Sequence, residues 1–148
     1  MNDRYLYRAK RKDNGEWIVG SLIQTSYLGS IRSWISSEQE DKARLREISS
    51  NQAVWRAFEV RTYTICQCTG LKDKNGKLIW ENDICRRALL PTKRIKTNFK
   101  ITYVPYKCCI SAIDLDGSNI TFLSDYINNQ YEVEVIGNIF DNQELLEK

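Results

Sequence analysis

The sequence predicts a mainly β protein with a minor α component, of the α+β class. A β-rich N-terminal part over residues 1–62 carries a short helix, and a second unit over residues 63–148 forms a small barrel that ends in a short helical turn. Three observations carry this expectation. Short runs rich in Val, Ile, Tyr, Trp and Thr recur at close spacing, and these residues fit a pleated, half-buried surface. Turn dipeptides separate the runs, among them Asn14-Gly15, Asn75-Gly76 and Asp116-Gly117; such pairs supply the positive φ that tight turns need. Only one long stretch has the character of a helix, and its apolar stripe is thin.

Taken in order, "YLYRAK" and "EWIVGSLI" flank Asn14-Gly15 and read as a β-hairpin. "IRSWI" is a further short strand. "SSEQEDKARLREI" opens with Ser37 three residues before Glu40, the spacing of a capping box, and continues with good helix formers. Its apolar residues are Ala43, Leu45 and Ile48, enough for a short surface helix or a loop. "AVWRAFEV" and "RTYTICQCTG" return to β character, with Gly70 as a stop. Asp73 to Gly76 is turn chemistry, "KLIW" a short strand, "END" a second turn and "ICRRALL" a strand again. Pro91 makes "LLPTKRIKTN" a polar arm or loop rather than a central strand. "FKITYVP", "KCCISAID", "NITFLS" and "YEVEVIGNIF" follow, and this succession of short strands is what suggests a barrel. In the closing "DNQELLEK", Asp141 can cap a helical turn, with Glu144 in the reciprocal position.

A chain of 148 residues is long enough to bury roughly two-thirds of its unfolded surface. Its 42% hydrophobic and 28% charged content is that of a soluble globular protein. "MNDRYLYRAKRK" has no apolar signal-peptide core, and no apolar run reaches the roughly 20 residues that span a bilayer. The expected setting is therefore cytoplasmic, without a membrane partner. Cys66, Cys68, Cys85, Cys108 and Cys109 are odd in number and spaced C-x-C and C-C, so they read as free thiols and small core residues. Zinc sites favour C-x2-C pairs joined by further Cys or His, and the sequence has no His. The lack of His also removes Ser-His and Cys-His nucleophile pairs. No catalytic residue, metal site or cofactor is expected, and the chain reads as a non-enzyme.

Charge is distributed unevenly. Between Ile84 and Ile113 there is no acidic residue, while Arg86, Arg87, Lys93, Arg94, Lys96, Lys100 and Lys107 all fall within the segment. From Asp114 onward the balance reverses, with eight acids facing only Lys148. Such asymmetry fits an anionic partner, or two halves of one protein or of neighbouring subunits that neutralise each other.

The central "TGLKDKNGKLIWENDICR" is read first as structure. Its lysines solvate a loop, Asn75-Gly76 closes it with positive φ, Trp80 and Ile84 face inward, and Asp83 satisfies backbone donors in the second turn. It lacks the Gly-rich run before a helix that a phosphate loop requires.

The same stretch, as "CTGLKDKNGKLIWENDI", resembles the signature of the YopX family, small proteins encoded mainly by bacteriophages and prophages. "LYRAKRKDNGEWIVGSLI" resembles the family's opening hairpin, and "YEVEVIGNIFDNQELL" its C-terminal block. Residues 31–58 and the basic segment have no counterpart in the resemblance. Asn82 stands where the family usually has Gly, Trp80 where Tyr is common, and Gln143 where Pro is frequent. The resemblance implies a β-rich N-terminal part joined to a C-terminal SH3-like barrel, and a phage or prophage origin. It implies no reaction.

Two function classes follow. The first is a non-enzymatic binding or assembly protein of phage type that acts as a homo-oligomer, since small barrels leave strand edges and apolar patches for self-association or for a host protein. Trp17, Trp34, Trp55 and Trp80 are candidates for its core, or for anchors at such an interface. The second is a nucleic-acid-binding module using Arg86, Arg87, Lys93, Arg94, Lys96 and Lys100 with Phe99, Tyr103 and Tyr106, a mixture that tracks a backbone and stacks bases. The plain reading of those cations is a solvated strand face.

Overall fold

The computed structural model describes residues 3–37, 57–93, 96–127 and 131–147. The expected helix after Ser37, Trp55 and Arg94 lie outside the described residues. The strands belong to two antiparallel sheets, and the chain divides into two compact units, Met1–Gln67 and Cys68–Lys148.

In the first unit, β1 (Tyr7–Lys10), β2 (Trp17–Tyr27), β3 (Ser30–Ser36) and β4 (Ala57–Glu59) lie in the order β4-β3-β2-β1. The opening hairpin forms as read, with Lys10 opposite Trp17. Gly15 takes a φ of 76°. Asn14 instead accepts the Glu16 N–H on Oδ1 at 3.0 Å, so an Asx turn shapes its side of the loop. The second hairpin turns through Leu28 and Gly29, with φ of 49° and 78°. Inward-facing Ala9, Ile18, Ile35 and Val60 form the core, and Tyr7, Leu22, Phe58 and Ile65 pack against it.

β5 (Cys66–Lys72) opens after a 3-10 turn at Thr62–Thr64, so the expected strand over "RTYTICQCTG" starts late. Cys66 and Gln67 pair with β1. Gly70, expected as a stop, lies inside β5 at a φ of 76°. The register with β6 (Leu78–Trp80) shifts between Cys68 and Lys72, so this glycine serves an irregularity in the strand rather than its end.

The second unit also holds β7 (Asp83–Leu89), β8 (Lys96–Val104), β9 (Cys109–Asp114), β10 (Ile120–Phe122) and β11 (Tyr131–Asn138), in the order β10-β9-β8-β7-β11. Five antiparallel strands agree with the sequence reading, but closure does not: among the described residues no closed barrel forms, and β10 and β11 are the edges of an open sheet. A short helix, α1 (Leu123–Tyr126), follows β10 directly. Its Leu123 and Tyr126 are buried, and Tyr126 meets Phe99 edge-on at 4.9 Å. These side chains cover the core where the chain leaves β10, a place that pure strand succession assigned to further β structure.

The core of this unit is Ile79, Cys85, Phe99, Ile101, Ala112, Leu123, Tyr126 and Val133. Cys66, Cys68 and Cys85 are buried and all five cysteines are unbridged, so the buried three serve as small apolar fillers. The C-terminal turn is a 3-10 turn at Gln143–Leu145. Asp141 does not cap it; its carboxylate accepts the Asn138 amide at 3.0 Å.

Candidate anion-binding face

β7 and β8 pair without a bulge, Ala88 opposite Lys96, Arg86 opposite Asn98 and Ile84 opposite Lys100. Alternation along a strand puts these pairs on one face, and the Cys85–Phe99 pair with the core on the other. Arg86, Lys96 and Lys100 thus share the face away from Phe99. β11 adds Glu134 opposite Arg86 and Glu132 opposite Ala88, on that same face.

The acidic C-terminal half neutralises part of the basic segment inside one chain. Lys93 Nζ lies 2.6 Å from Glu132, and Lys74 Nζ lies 2.9 Å from both Glu132 and Glu134. Hydrogen bonds from Lys93 and then Lys74 hold the Glu132 carboxyl at about 2. The bonds to Glu132 and Glu134 in turn raise the Lys74 ammonium above its usual range. Arg86 is held differently, its Nε donating to Asn98 Oδ1 at 3.1 Å. Neither Arg86, Lys96 nor Lys100 forms an ion pair among the described residues.

Two pockets open beside Arg86 and Lys96. One, of about 200 Å³, carries Lys74, Lys93, Glu132 and Glu134. The other, of about 420 Å³, is lined by Thr97, Asn98, Leu115 and Asp116 together with Asp114. Arg86 and Lys96 belong to both walls.

The remaining residues read as a nucleic-acid track separate from one another. Arg87 turns toward the core side and pairs with Asp114 at 3.3 Å. Phe99 is fully buried and presents no ring to solvent. Lys93 is spent on Glu132, and Arg94 lies outside the described residues. Tyr103 and Tyr106 are exposed. The structure therefore gathers Arg86, Lys96 and Lys100 but does not assemble the full set. Sequence reading missed Lys74 and Asn98, because the β7–β8 register brings Asn98 there and a bond from the Lys74 N–H to the Val133 carbonyl of β11, at 2.9 Å, brings Lys74. It also missed the apolar tip of the β2–β3 hairpin, where Leu28 is 89%, Tyr27 77% and Ile31 60% exposed; "TSYLGSI" carries the signal, three large apolar residues around a Gly turn. Among the described residues no three His, Cys, Asp or Glu gather as a metal site requires, and no helix is long and apolar enough to cross a membrane.

Two open antiparallel sheets, a short helix and a surface cleft framed by cations define a small β-rich protein. Its sequence matches the YopX protein family over residues 6–147, and the chain belongs to the YopX family. No curated protein matches it.

Proposed function

We propose that this is a non-enzymatic binding or assembly protein of phage or prophage type, working in the cytoplasm as a homo-oligomer. The observation that carries the reading is Leu28. It holds a left-handed φ of 49° while 89% exposed. Left-handed backbone costs a side chain like Leu roughly 1–2 kcal/mol, and Asn or Gly would fill a hairpin turn more easily. A residue unfavourable both for its backbone and for its hydration makes sense where a partner covers it. Tyr27 and Ile31 extend the apolar tip.

A second copy suits this tip because the same hairpin also offers a surface to receive it. Val19, Ile23 and Tyr27 lie on one face of β2, at 39%, 43% and 77% exposure. A two-fold arrangement can lay each tip on the other's stripe, the self-complementarity that an isologous interface requires. Non-enzymatic action is supported by a sequence without His and by carboxylates engaged in structural bonds, as at Asp73, Asp83 and Asp114. The SH3-like character of the second unit belongs to the same reading, supported by its five antiparallel strands rather than by closure. A host protein is the other macromolecule such a tip can engage.

Light scattering at micromolar concentration tests this. The wild type should exceed the monomer mass, and Leu28→Asn should return it to the monomer without lowering the melting temperature, since Asn tolerates the left-handed turn. A wild type that stays monomeric overturns the reading.

Nucleic acid is the second reading, favoured by the common face of Arg86, Lys96 and Lys100. Binding of a labelled mixed-sequence oligonucleotide would then fall steeply with salt, with a log–log slope of about −0.7 per phosphate contact on single strands. Anisotropy that does not rise at low salt rejects it.

A further inference from the structure

We propose that Arg86 and Lys96 bind the phosphate of a small hydroxyl-bearing phosphate ester, of the sugar-phosphate or nucleoside-monophosphate class. The two cations are diagonal neighbours across β7 and β8, through the pairs Arg86–Asn98 and Ala88–Lys96. Diagonal Cα separations of about 7–8 Å let long side chains converge on one group. The Nε bond to Asn98 fixes the plane of the Arg86 guanidinium and leaves its terminal nitrogens to engage an anion. Lys96 adds a point charge at the exposed start of β8. With Glu132 and Glu134 already bonded to Lys74, and Glu132 also to Lys93, these acids are directed toward other cations.

The rest of the ligand is read from the larger pocket. Its volume of about 420 Å³ falls in the range of sites that hold small organic ligands. Beyond the cations it offers the Asn98 amide and the Asp116 carboxylate; Asp114, already bonded to Arg87, Leu115 and Thr97 complete its wall. Asp116 is braced by the Ser118 N–H on Oδ1 at 2.9 Å. A carboxylate beside a phosphate site is a suitable acceptor for sugar hydroxyls, as it is in dinucleotide sites. The flanks argue against a long polyanion. A continuous phosphate backbone leaving the site on one side would meet Asp116, and on the other Lys74 and Lys93 are already engaged by Glu132 and Glu134 and add no net positive charge.

The test titrates the full chain with ribose 5-phosphate, inorganic phosphate, ribose and a short oligothymidine, followed by calorimetry and by amide chemical shifts. Ribose 5-phosphate should saturate and move the Thr97, Asn98 and Asp116 resonances, whereas ribose alone should not bind. Arg86→Gln and, independently, the exposed Lys96→Gln should each weaken it about tenfold or more, with unchanged melting temperature for Lys96→Gln. Asp116→Asn should weaken ribose 5-phosphate but not inorganic phosphate. Three outcomes overturn the proposal: no saturation with ribose 5-phosphate, affinity unchanged by Lys96→Gln, or oligothymidine binding more tightly than ribose 5-phosphate. None of these depends on the oligomeric state, so failure here leaves the assembly reading to its own test.

Discussion

Arg87 and Asp114 form a salt bridge at 3.3 Å across the core-facing side of the second unit's sheet, with side-chain exposures of only 16% and 8%. Tyr126 joins them: its ring lies 4.1 Å beneath the Arg87 guanidinium, and its hydroxyl donates to Asp114 Oδ1 at 3.4 Å. α1 is thereby tied to β7 and β9 through one carboxylate.

Removing that carboxylate should be costly. Asp114→Ala leaves a largely buried guanidinium and a buried hydroxyl without their acceptor. Breaking such a pair from one side costs about 3 kcal/mol. Urea unfolding should register the loss, and adding Arg87→Met should recover part of it by removing the stranded charge. A single variant within 0.5 kcal/mol of wild type, roughly the spread of surface substitutions, would mean the pair carries little.

Acid should weaken the fold in a defined window. Glu59 is held at about 2 by hydrogen bonds from Arg32 and then Lys12, and Glu132 at about 2 by Lys93 and Lys74. Burial pushes Asp73 upward, but N–H bonds from Val135, Lys77 and Asn75 together bring it below its usual value. Depressed carboxylates stabilise the folded chain above their unfolded values. That stability is lost as the pH falls from about 4.5 toward 2. Melting temperature followed across this window should drop, and Glu132→Gln should make the decline shallower. An unchanged slope would detach Glu132 from acid stability.

The strands were legible because their signal is local. Asn14-Gly15 and the β-branched runs are visible within a few residues, and the hairpins follow from them; the charge reversal at Asp114 is equally plain but left open whether a partner, the same chain or a neighbouring subunit answers the basic segment. Closure was not legible: whether β10 meets β11 depends on how α1 packs Tyr126 on Phe99, a contact between residues far apart in sequence. The same holds for the site. The basic segment is plain to read, yet strand alternation decides that Arg86 faces the cleft while Arg87 and Phe99 turn to the core. One residue of register separates a ligand contact from a structural ion pair.

Thiol reactivity should divide the cysteines into two groups. Cys108 is exposed and Cys109 half-buried, whereas Cys66, Cys68 and Cys85 are buried. A disulfide reagent added to the reduced native protein should modify Cys108 rapidly and Cys109 more slowly. The buried three should react only on unfolding, because their access requires opening of the core. Rapid labelling of Cys85 in native buffer would contradict the packing around it.

The turn at Asn82 and Asp83 offers the sharpest separation of backbone from side-chain effects. Asn82 takes a φ of 66°, its N–H donates to Ile101 O at 2.8 Å, and its carbonyl accepts from Ile139 at 3.0 Å. These bonds are made by the Asn82 backbone, so Asn82→Gly retains them and relaxes the left-handed backbone. That variant should lose less than Asn82→Val, which, β-branched at a left-handed position, should cost about 1–2 kcal/mol. Gly76, at a φ of 78° with open space around its Cα, should behave alike, Gly76→Val losing about 1 kcal/mol from backbone strain alone. Asp83 acts through its side chain instead: its Oδ2 accepts the buried Trp80 N–H at 2.9 Å. Asp83→Ala should strand that donor at about 1–3 kcal/mol, and Asp83→Asn, which keeps an acceptor oxygen, should restore part of the loss. Denaturation midpoints across these five variants give the comparison. Equal losses for Asn82→Gly and Asn82→Val would refute the backbone account, and an Asp83→Ala variant as stable as wild type would refute the side-chain one.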